Sequence, residues 1–220
     1  MLEILISDDG SPTIFNTVIR ESYHSRFGAR SESEHVFIQN GLETVLPKAN
    51  NVNILEIGFG SGLNALLTQQ AVGRYQAHIR YDSLEPFPIS PDLACSYIRN
   101  AHFSPAEQQD LLKLHQAPFG QNQQLSPYFT LHKTVTGIQE FQSDIMFSLV
   151  YFDAFSPDKA PELWTEAIFR KLYQMMITGG ILVTYCAKGF VKRHLKAAGF
   201  TVEALKGAAG KREMVRAGKL

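Results

Sequence analysis

Short apolar runs bounded by turn residues recur along the chain, and their order predicts the fold. Leu2-Glu3-Ile4-Leu5-Ile6 and Thr13-Ile14-Phe15 flank Asp8-Asp9-Gly10-Ser11-Pro12, a spacing that predicts a β-hairpin within residues 2–24. Glu21 to Leu42 shows no clean period and reads as loop and short helix lying across the mouth of a site. After a break at Pro47–Asn51, strands and helices alternate. The pattern predicts strands at Val52–Ile57, Ile79–Leu84, Phe129–Lys133, Met146–Phe152 and Ile181–Tyr185. Between them fall helices at about Leu63–Ala71, through a proline-punctuated stretch to Gln124, at Pro161–Met176 (capped by Thr178-Gly179-Gly180) and at Lys188–Ala198. In that stretch Ser104-Pro105-Ala106-Glu107 has the form of a capped helix start. Phe200–Leu205 and Glu213–Arg216, around a Gly207–Gly210 turn, close the chain as a hairpin.

Strands that are apolar throughout are covered on both faces, and alternation with helices implies a doubly wound, mostly parallel sheet. The expected class is therefore α/β, with a C-terminal antiparallel strand and an N-terminal β-hairpin. One compact unit is expected, with residues 1–50 as hairpin and covering segment and 51–220 as the α/β domain.

The chemistry concentrates in Ile54-Leu55-Glu56-Ile57-Gly58-Phe59-Gly60-Ser61-Gly62-Leu63-Asn64. Three alternate glycines between a strand and a helix leave bare backbone N–H groups at a helix N-terminus, without Cβ atoms to keep a ligand away. Such a turn alone fits any nucleotide-like cofactor. Glu56 favours one carrying an ammonium, such as the methionine end of S-adenosylmethionine, over the pyrophosphate of NAD. Gly58, Gly60, Gly62, Asn64 and Glu56 are thus candidate cofactor contacts. Glu85, ending the second core strand, suits ribose hydroxyls in either cofactor.

Asp153 ends the fourth strand in Tyr151-Phe152-Asp153-Ala154-Phe155-Ser156-Pro157, on the carboxyl edge where ligands of open α/β sheets sit. Methyl transfer to an amine requires a free lone pair in line with the methyl, so a carboxylate that orients the amine or takes its proton is useful there. Asp153 is the candidate for that role, the alternative being an anchor for the methionine ammonium or a helix cap. The segment lacks the Asp-Pro-Pro-aromatic form of enzymes acting on exocyclic base amines, which favours an aliphatic amine. Neither Ser61 nor Ser156 has a triad spacing, and the scattered histidines predict no metal.

Of the 220 residues 45% are apolar and 19% charged, as in soluble globular proteins, and no run is long enough to span a bilayer. Cys95 and Cys186 lack metal or redox spacing, so a reduced, cytoplasmic protein is expected. The net charge of zero conceals an asymmetry. From Lys188 onward Lys192, Arg193, Lys196, Lys206, Lys211, Arg212, Arg216 and Lys219 are opposed only by Glu203 and Glu213. This segment reads as a phosphate-binding face or as a solvated helix and charged tail.

Four blocks bear a further relation. They are Tyr23-His24-Ser25-Arg26-Phe27-Gly28-Ala29 with Glu32-Ser33-Glu34-His35-Val36-Phe37; the glycine block; Asp153-Ala154-Phe155-Ser156-Pro157-Asp158-Lys159-Ala160-Pro161-Glu162-Leu163-Trp164; and Gly210-Lys211-Arg212-Glu213-Met214. Together they resemble the methyltransferase half of the MnmC family of bifunctional tRNA-modification proteins and its stand-alone relatives, over nearly the whole chain. The resemblance implies a Rossmann-like methyltransferase. It would use S-adenosylmethionine to methylate the aminomethyl group of 5-aminomethyl-(2-thio)uridine at the tRNA wobble position. It implies tRNA as partner, substrate contacts from Tyr23, Phe155, Lys188, Lys211 and Arg212, and a separate oxidase or aminomethyl-forming enzyme upstream. Without the family's FAD-dependent half, only methylation is expected.

Two departures stand out. The family's Gly-Asp after the third strand, which serves the adenine, is replaced by His132-Lys133-Thr134-Val135, and Gly207-Ala208-Ala209-Gly210 stands where the family tends to have prolines. The alternatives are a nicotinamide oxidoreductase, a small-amine or protein-lysine N-methyltransferase, and a cofactor-sensing RNA-binding protein without catalysis.

Overall fold

Every residue of the computed structural model is described except Gln76, Ala101 and Ala209 and the side chains of Lys48 and Asn100, so part of the Gly207–Gly210 turn lies outside the described residues. The N-terminal hairpin forms as β1 (Leu2–Ile6) against β2 (Pro12–Asn16), and a two-residue β3 (Glu21–Ser22) widens it to three antiparallel strands. Asp9 ties this small sheet to the next helix, α1 (Ala29–Ser33), by accepting the Ser31 N–H (3.0 Å) and hydroxyl (2.6 Å). Burial pushes its carboxyl up, but the bonds from Ser11 and Ser31 outweigh it and hold it below the usual range.

The chain continues through a π-helical stretch, Glu34–Leu42, a turn of α2 (Glu43–Val45) and a 3₁₀ turn at Leu46–Lys48. The main sheet then builds from β4 (Asn51–Ile57), β5 (His78–Leu84), β6 (Asn122–Ser126), β7 (Phe129–Thr134), β8 (Phe147–Phe152), β9 (Met176–Thr184), β10 (Thr201–Lys206) and β11 (Glu213–Gly218). Its order is β10-β11-β9-β8-β4-β5-β7-β6. The five central strands β9, β8, β4, β5 and β7 run parallel, and β11 enters antiparallel between β10 and β9.

Alternation along the strands builds two cores. Ile54, Tyr81, Leu149 and Tyr151 face one side, beneath α3 (Leu63–Val72), α4 (Pro91–Asn100) and α5 (Pro105–Gln116). Leu55, Val150 and Phe152 face the other, beneath α6 (Glu166–Gln174) and α7 (Gly189–Ala197). α5 opens with the anticipated capping box between Ser104 and Glu107.

Three expectations need correction. The segment from Glu34 is not a cover over a mouth. Val36, Phe37 and Leu42 are buried in the core, and a Cβ at Gly41 would sit 3.1 Å from Val183 and 3.3 Å from Tyr151. A π-helical repeat has no 3.6-residue apolar period, so the packing was invisible to periodicity. Next, Pro161–Met176 is not one helix. Pro161–Trp164 is a 3₁₀ turn, Thr165 starts α6 by accepting the Ile168 N–H (3.4 Å), and Met176 already belongs to β9. The Gly179 N–H donates to the Lys219 carbonyl (2.8 Å) inside that strand instead of ending a helix. Finally, Asn122–Ser126 pairs with β7 as an edge strand. Its sequence, NQQLS, has no apolar alternation because only Leu125 packs, half-buried, against the core.

Candidate active site

The three glycines bend the chain from β4 into α3. Gly58, Gly60 and Gly62 all hold positive φ (95°, 52° and 77°), a region costly for any residue with a Cβ. The Gly58 N–H donates to the Leu84 carbonyl (2.9 Å), and a Cβ there would stand 3.0 Å from the Asp153 carbonyl oxygen. Side chains are thus excluded where the β4 and β8 loops meet. Glu85, at the end of β5, accepts the Gly60 N–H (2.9 Å) on one oxygen and the Phe87 N–H (2.9 Å) on the other. Tyr23 folds over the turn, with its ring edge 2.9 Å from where a Gly60 Cβ would project.

The loop after β8 is held from three sides. Ser156 donates both its N–H and its hydroxyl to Glu21 (2.9 Å each), Tyr185 donates its hydroxyl to the Ala154 carbonyl (2.9 Å), and Trp164 donates its indole N–H to the Phe155 carbonyl (2.8 Å). Asp153 is fixed in turn by Asn64, whose amide donates to its Oδ2 (2.8 Å). Phe155 packs edge-on against Tyr23 (5.3 Å).

These parts surround a cavity of about 1180 Å³, above the roughly 300–1,000 Å³ of a typical single-ligand pocket. Of the residues singled out in the sequence, Gly58, Gly60, Glu85, Asp153, Tyr23, Phe155 and Lys211 line it. Gly62 and Asn64 are buried behind its wall, as is Glu56, whose Oε2 accepts the Ser83 hydroxyl (2.6 Å) inside the sheet. Lys211 points inward, pairing with Glu32 and lying 4.0 Å from the centre of the Tyr185 ring. Lys188 is exposed and bonds Asp158 (2.5 Å), and Arg212 is exposed at the turn before β11.

Much of the C-terminal basic charge is spent internally. Lys192 pairs with Glu213 (2.8 Å), Arg216 with Glu203 (2.8 Å), and Lys219 donates to the carbonyls of Tyr173 and Met176. Arg193, Lys196, Lys206 and Arg212 remain solvent-exposed.

Other lining residues were missed: His24, Glu32, Glu21 and the Thr136–Glu140 loop. His24 and Glu32 stand in the N-terminal block that resembles the family's, the one signal that could have found them, whereas Glu21 lies outside that block in an aperiodic segment. The loop was missed because β7 runs on to Thr134. Lys133, in the position compared with the family's Gly-Asp, is buried and donates to the Leu114 and His115 carbonyls (2.8 and 2.9 Å) at the end of α5. Burial lowers that ammonium to about 8. The cavity-facing positions therefore fall at Thr136 and Gly137.

Burial dominates the electrostatics. It raises the Glu56 carboxyl to about 7 against the bond from Ser83, with the charge of Glu85 adding to the rise. It raises Asp153 well above the carboxylate range, helped by the charge of Glu32 and opposed by Asn64 and Lys211. Burial, aided by Glu85, raises the Tyr23 hydroxyl to about 12. Glu32, Glu56, Glu85 and Asp153 thus crowd a region where Lys211 is the nearby cation acting on Asp153. Such a site favours a ligand that brings positive charge and disfavours a pyrophosphate.

A glycine turn from strand to helix, an acid ending the next strand and an antiparallel strand inserted into a parallel sheet define a nucleoside-cofactor α/β enzyme. A family model described as S-adenosyl-L-methionine-dependent methyltransferase matches residues 106–220, and the chain belongs to that family. Over 206 residues the chain is 33% identical to the tRNA 5-methylaminomethyl-2-thiouridine biosynthesis bifunctional protein MnmC of Ectopseudomonas mendocina, covering 88% of this chain and 31% of that protein. The protein of the same name from Campylobacter hominis is 30% identical over 212 residues, covering 93% and 31%. The chain spans about a third of the length of these curated relatives. Among solved structures, MnmC2 from Aquifex aeolicus matches with a TM-score of 0.79 at 25% identity, covering 99% of this chain and 70% of that one. Spermidine synthase from Thermotoga maritima matches at 0.61 and 12% identity, covering 98% and 67%, a likeness of fold alone.

The cofactor is therefore S-adenosylmethionine, and the nicotinamide alternative falls. The site fits it. The glycine turn leaves a cradle that Cβ atoms would fill, and the acids complement a ligand bearing both a sulfonium and an ammonium. Both ring nitrogens of His24, which lines the cavity, are buried without a hydrogen-bond partner among the described residues. Among the described residues no helix is long and apolar enough to cross a membrane.

Proposed function

We propose that this chain methylates the primary amine of 5-aminomethyluridine, 2-thiolated or not, at the wobble position of tRNA. The observation that carries the reading is Asp153, a carboxylate with its side chain 8% exposed, at the junction of the glycine turn and a cavity larger than one small ligand needs. The relatives that match 88% and 93% of the chain, proteins of tRNA 5-methylaminomethyl-2-thiouridine biosynthesis, support tRNA as the substrate.

When bound, the cofactor supplies a methyl group on a positively charged sulfur. Glu85 accepts from the ribose hydroxyls, since each of its oxygens keeps lone pairs beyond the one backbone bond it accepts. Thr136, Gly137 and Gln139 line the cavity in the loop beyond Glu85 and offer backbone and amide groups to the adenine edge. Glu56, one layer behind the turn, ionises more readily as the cationic ligand enters and so complements its charge. Asp153 draws in the substrate ammonium and orients it, while Tyr23 and Phe155 cover the reacting atoms and exclude water. Exposed Arg193, Lys206 and Arg212 offer phosphate contacts outside the cavity.

Nucleoside mass spectrometry of tRNA from cells lacking the protein tests the reading. Accumulated 5-aminomethyl nucleoside supports it. Unchanged tRNA together with an unmethylated small amine or protein lysine replaces it with another amine substrate.

A further inference from the structure

We infer that His24 is the group that receives the proton of the substrate amine, with Asp153 acting as its orienting carboxylate. The inference rests on the reading of the substrate as a primary amine. His24 follows Tyr23 on the segment that folds over the glycine turn, and its backbone N–H donates to the Thr13 hydroxyl (3.1 Å). Its side chain is 6% exposed yet lines the cavity, and Nε2 lies 3.9 Å from Asp153 Oδ2. Neither ring nitrogen has a hydrogen-bond partner among the described residues. A buried imidazole with two unsatisfied nitrogens is unusual. A role in packing alone would be met better by an apolar ring.

The reaction needs what Asp153 does not supply well. A carboxylate beside an alkylammonium favours the charged amine, whose lone pair is blocked, so a second acceptor must take the proton. The groups bearing on the imidazole are Glu32 from α1, Asp153 after β8, Lys211 before β11, and Tyr23 and Tyr185. Burial keeps the ring neutral, lowering it to about 4, against the charge of Glu32 and with that of Lys211. A neutral ring offers a lone pair, and once protonated it stands beside the carboxylates of Asp153 and Glu32.

The balanced step is then simple. The ammonium gives one proton to the imidazole nitrogen, and its freed lone pair forms the N–CH₃ bond while the S–CH₃ electrons stay on sulfur. The product leaves as a secondary ammonium, and the imidazolium returns its proton to water. Net, one proton is released per methyl transferred.

The test is His24→Gln, which keeps a polar group of similar size without a basic nitrogen, alongside His24→Ala with added imidazole. Expected for His24→Gln is a kcat lower by about a hundredfold, within the range for a general base. S-adenosylmethionine affinity by calorimetry should stay within a few-fold, and the pH–rate profile should move to higher pH, where the amine deprotonates unaided. Imidazole should restore part of the His24→Ala rate. His24→Gln turnover within twofold of wild type, with an unchanged pH profile, overturns the role of His24 and leaves the amine substrate standing. Loss of cofactor affinity at unchanged saturated kcat also overturns it, making His24 a cofactor contact. A wild-type chain inactive on tRNA bearing the free amine removes the substrate reading and this inference together.

Discussion

Glu56→Gln gives the sharpest test of the site's electrostatics. The carboxyl is wholly buried and titrates at about 7 in the folded state against 4.5 as its unperturbed value. The folded state therefore binds this proton more tightly than the unfolded chain does. Its contribution to stability is fully present below pH 4.5 and is lost as pH rises through 7. The difference of 2.5 units (7 − 4.5) corresponds to about 3 kcal/mol at about 1.36 kcal/mol per unit. Gln keeps the shape and can still accept the Ser83 hydroxyl, but it does not ionise. Urea denaturation of both proteins at pH 5 and pH 8 isolates the effect, because other titrating groups cancel in the difference. Relative to wild type, the variant should gain most of about 3 kcal/mol between those pH values, roughly 6–12 °C in Tm for a chain of this length. Saturating S-adenosylmethionine should shrink the gain, since its positive charge favours the ionised carboxylate. A difference independent of pH would refute the reading that burial raises the Glu56 carboxyl.

Other substitutions probe separate parts. Gly60→Val places a Cβ 2.9 Å from the Tyr23 ring at a φ of 52°, and calorimetry should detect no S-adenosylmethionine binding while far-UV circular dichroism stays native; retained micromolar binding would contradict the cradle. Asp153→Asn should lower kcat by about a hundredfold, the scale of a misplaced reactant, with little change in cofactor affinity. If it loses cofactor affinity and keeps its saturated rate, Asp153 anchors the methionine instead. Lys211→Met leaves Glu32 buried without its ion pair and should destabilise the fold by a few kcal/mol, about 3–5 as an upper range, with Glu32→Gln added in the same chain restoring most of it; equal stability of single and double variants counts against the pair. Lys206→Ala and Arg212→Ala should each weaken tRNA binding and reduce its salt slope by about 1 without moving cofactor affinity. An unchanged slope would place the RNA elsewhere.

The sheet and the glycine turn were legible because apolar runs, glycines and terminal acids are local signals. Gly58, Gly60, Glu85 and Asp153 each end or follow a strand, so position along the chain locates them at the ligand edge. Side-chain direction was not legible. Glu56 and Asn64 turn inward to Ser83 and Asp153, and Lys211 turns into the cavity to meet Glu32, a residue 179 positions away. The contribution of Glu21, His24 and Glu32 came from a segment with no period, which joins the site only through tertiary contacts such as the Glu21–Ser156 bonds. The basic C-terminal segment looked like one patch in sequence, yet pairing within β10, β11 and α7 leaves a smaller exposed set.

The most direct test of the central claim uses purified protein, S-adenosylmethionine with a labelled methyl group, and tRNA carrying 5-aminomethyl-2-thiouridine at the wobble position. Digestion and mass spectrometry should show the label on the 5-methylaminomethyl nucleoside, and Asp153→Asn should nearly abolish it. Label appearing on another nucleoside, or none on tRNA while the protein binds S-adenosylmethionine tightly, would contradict the account.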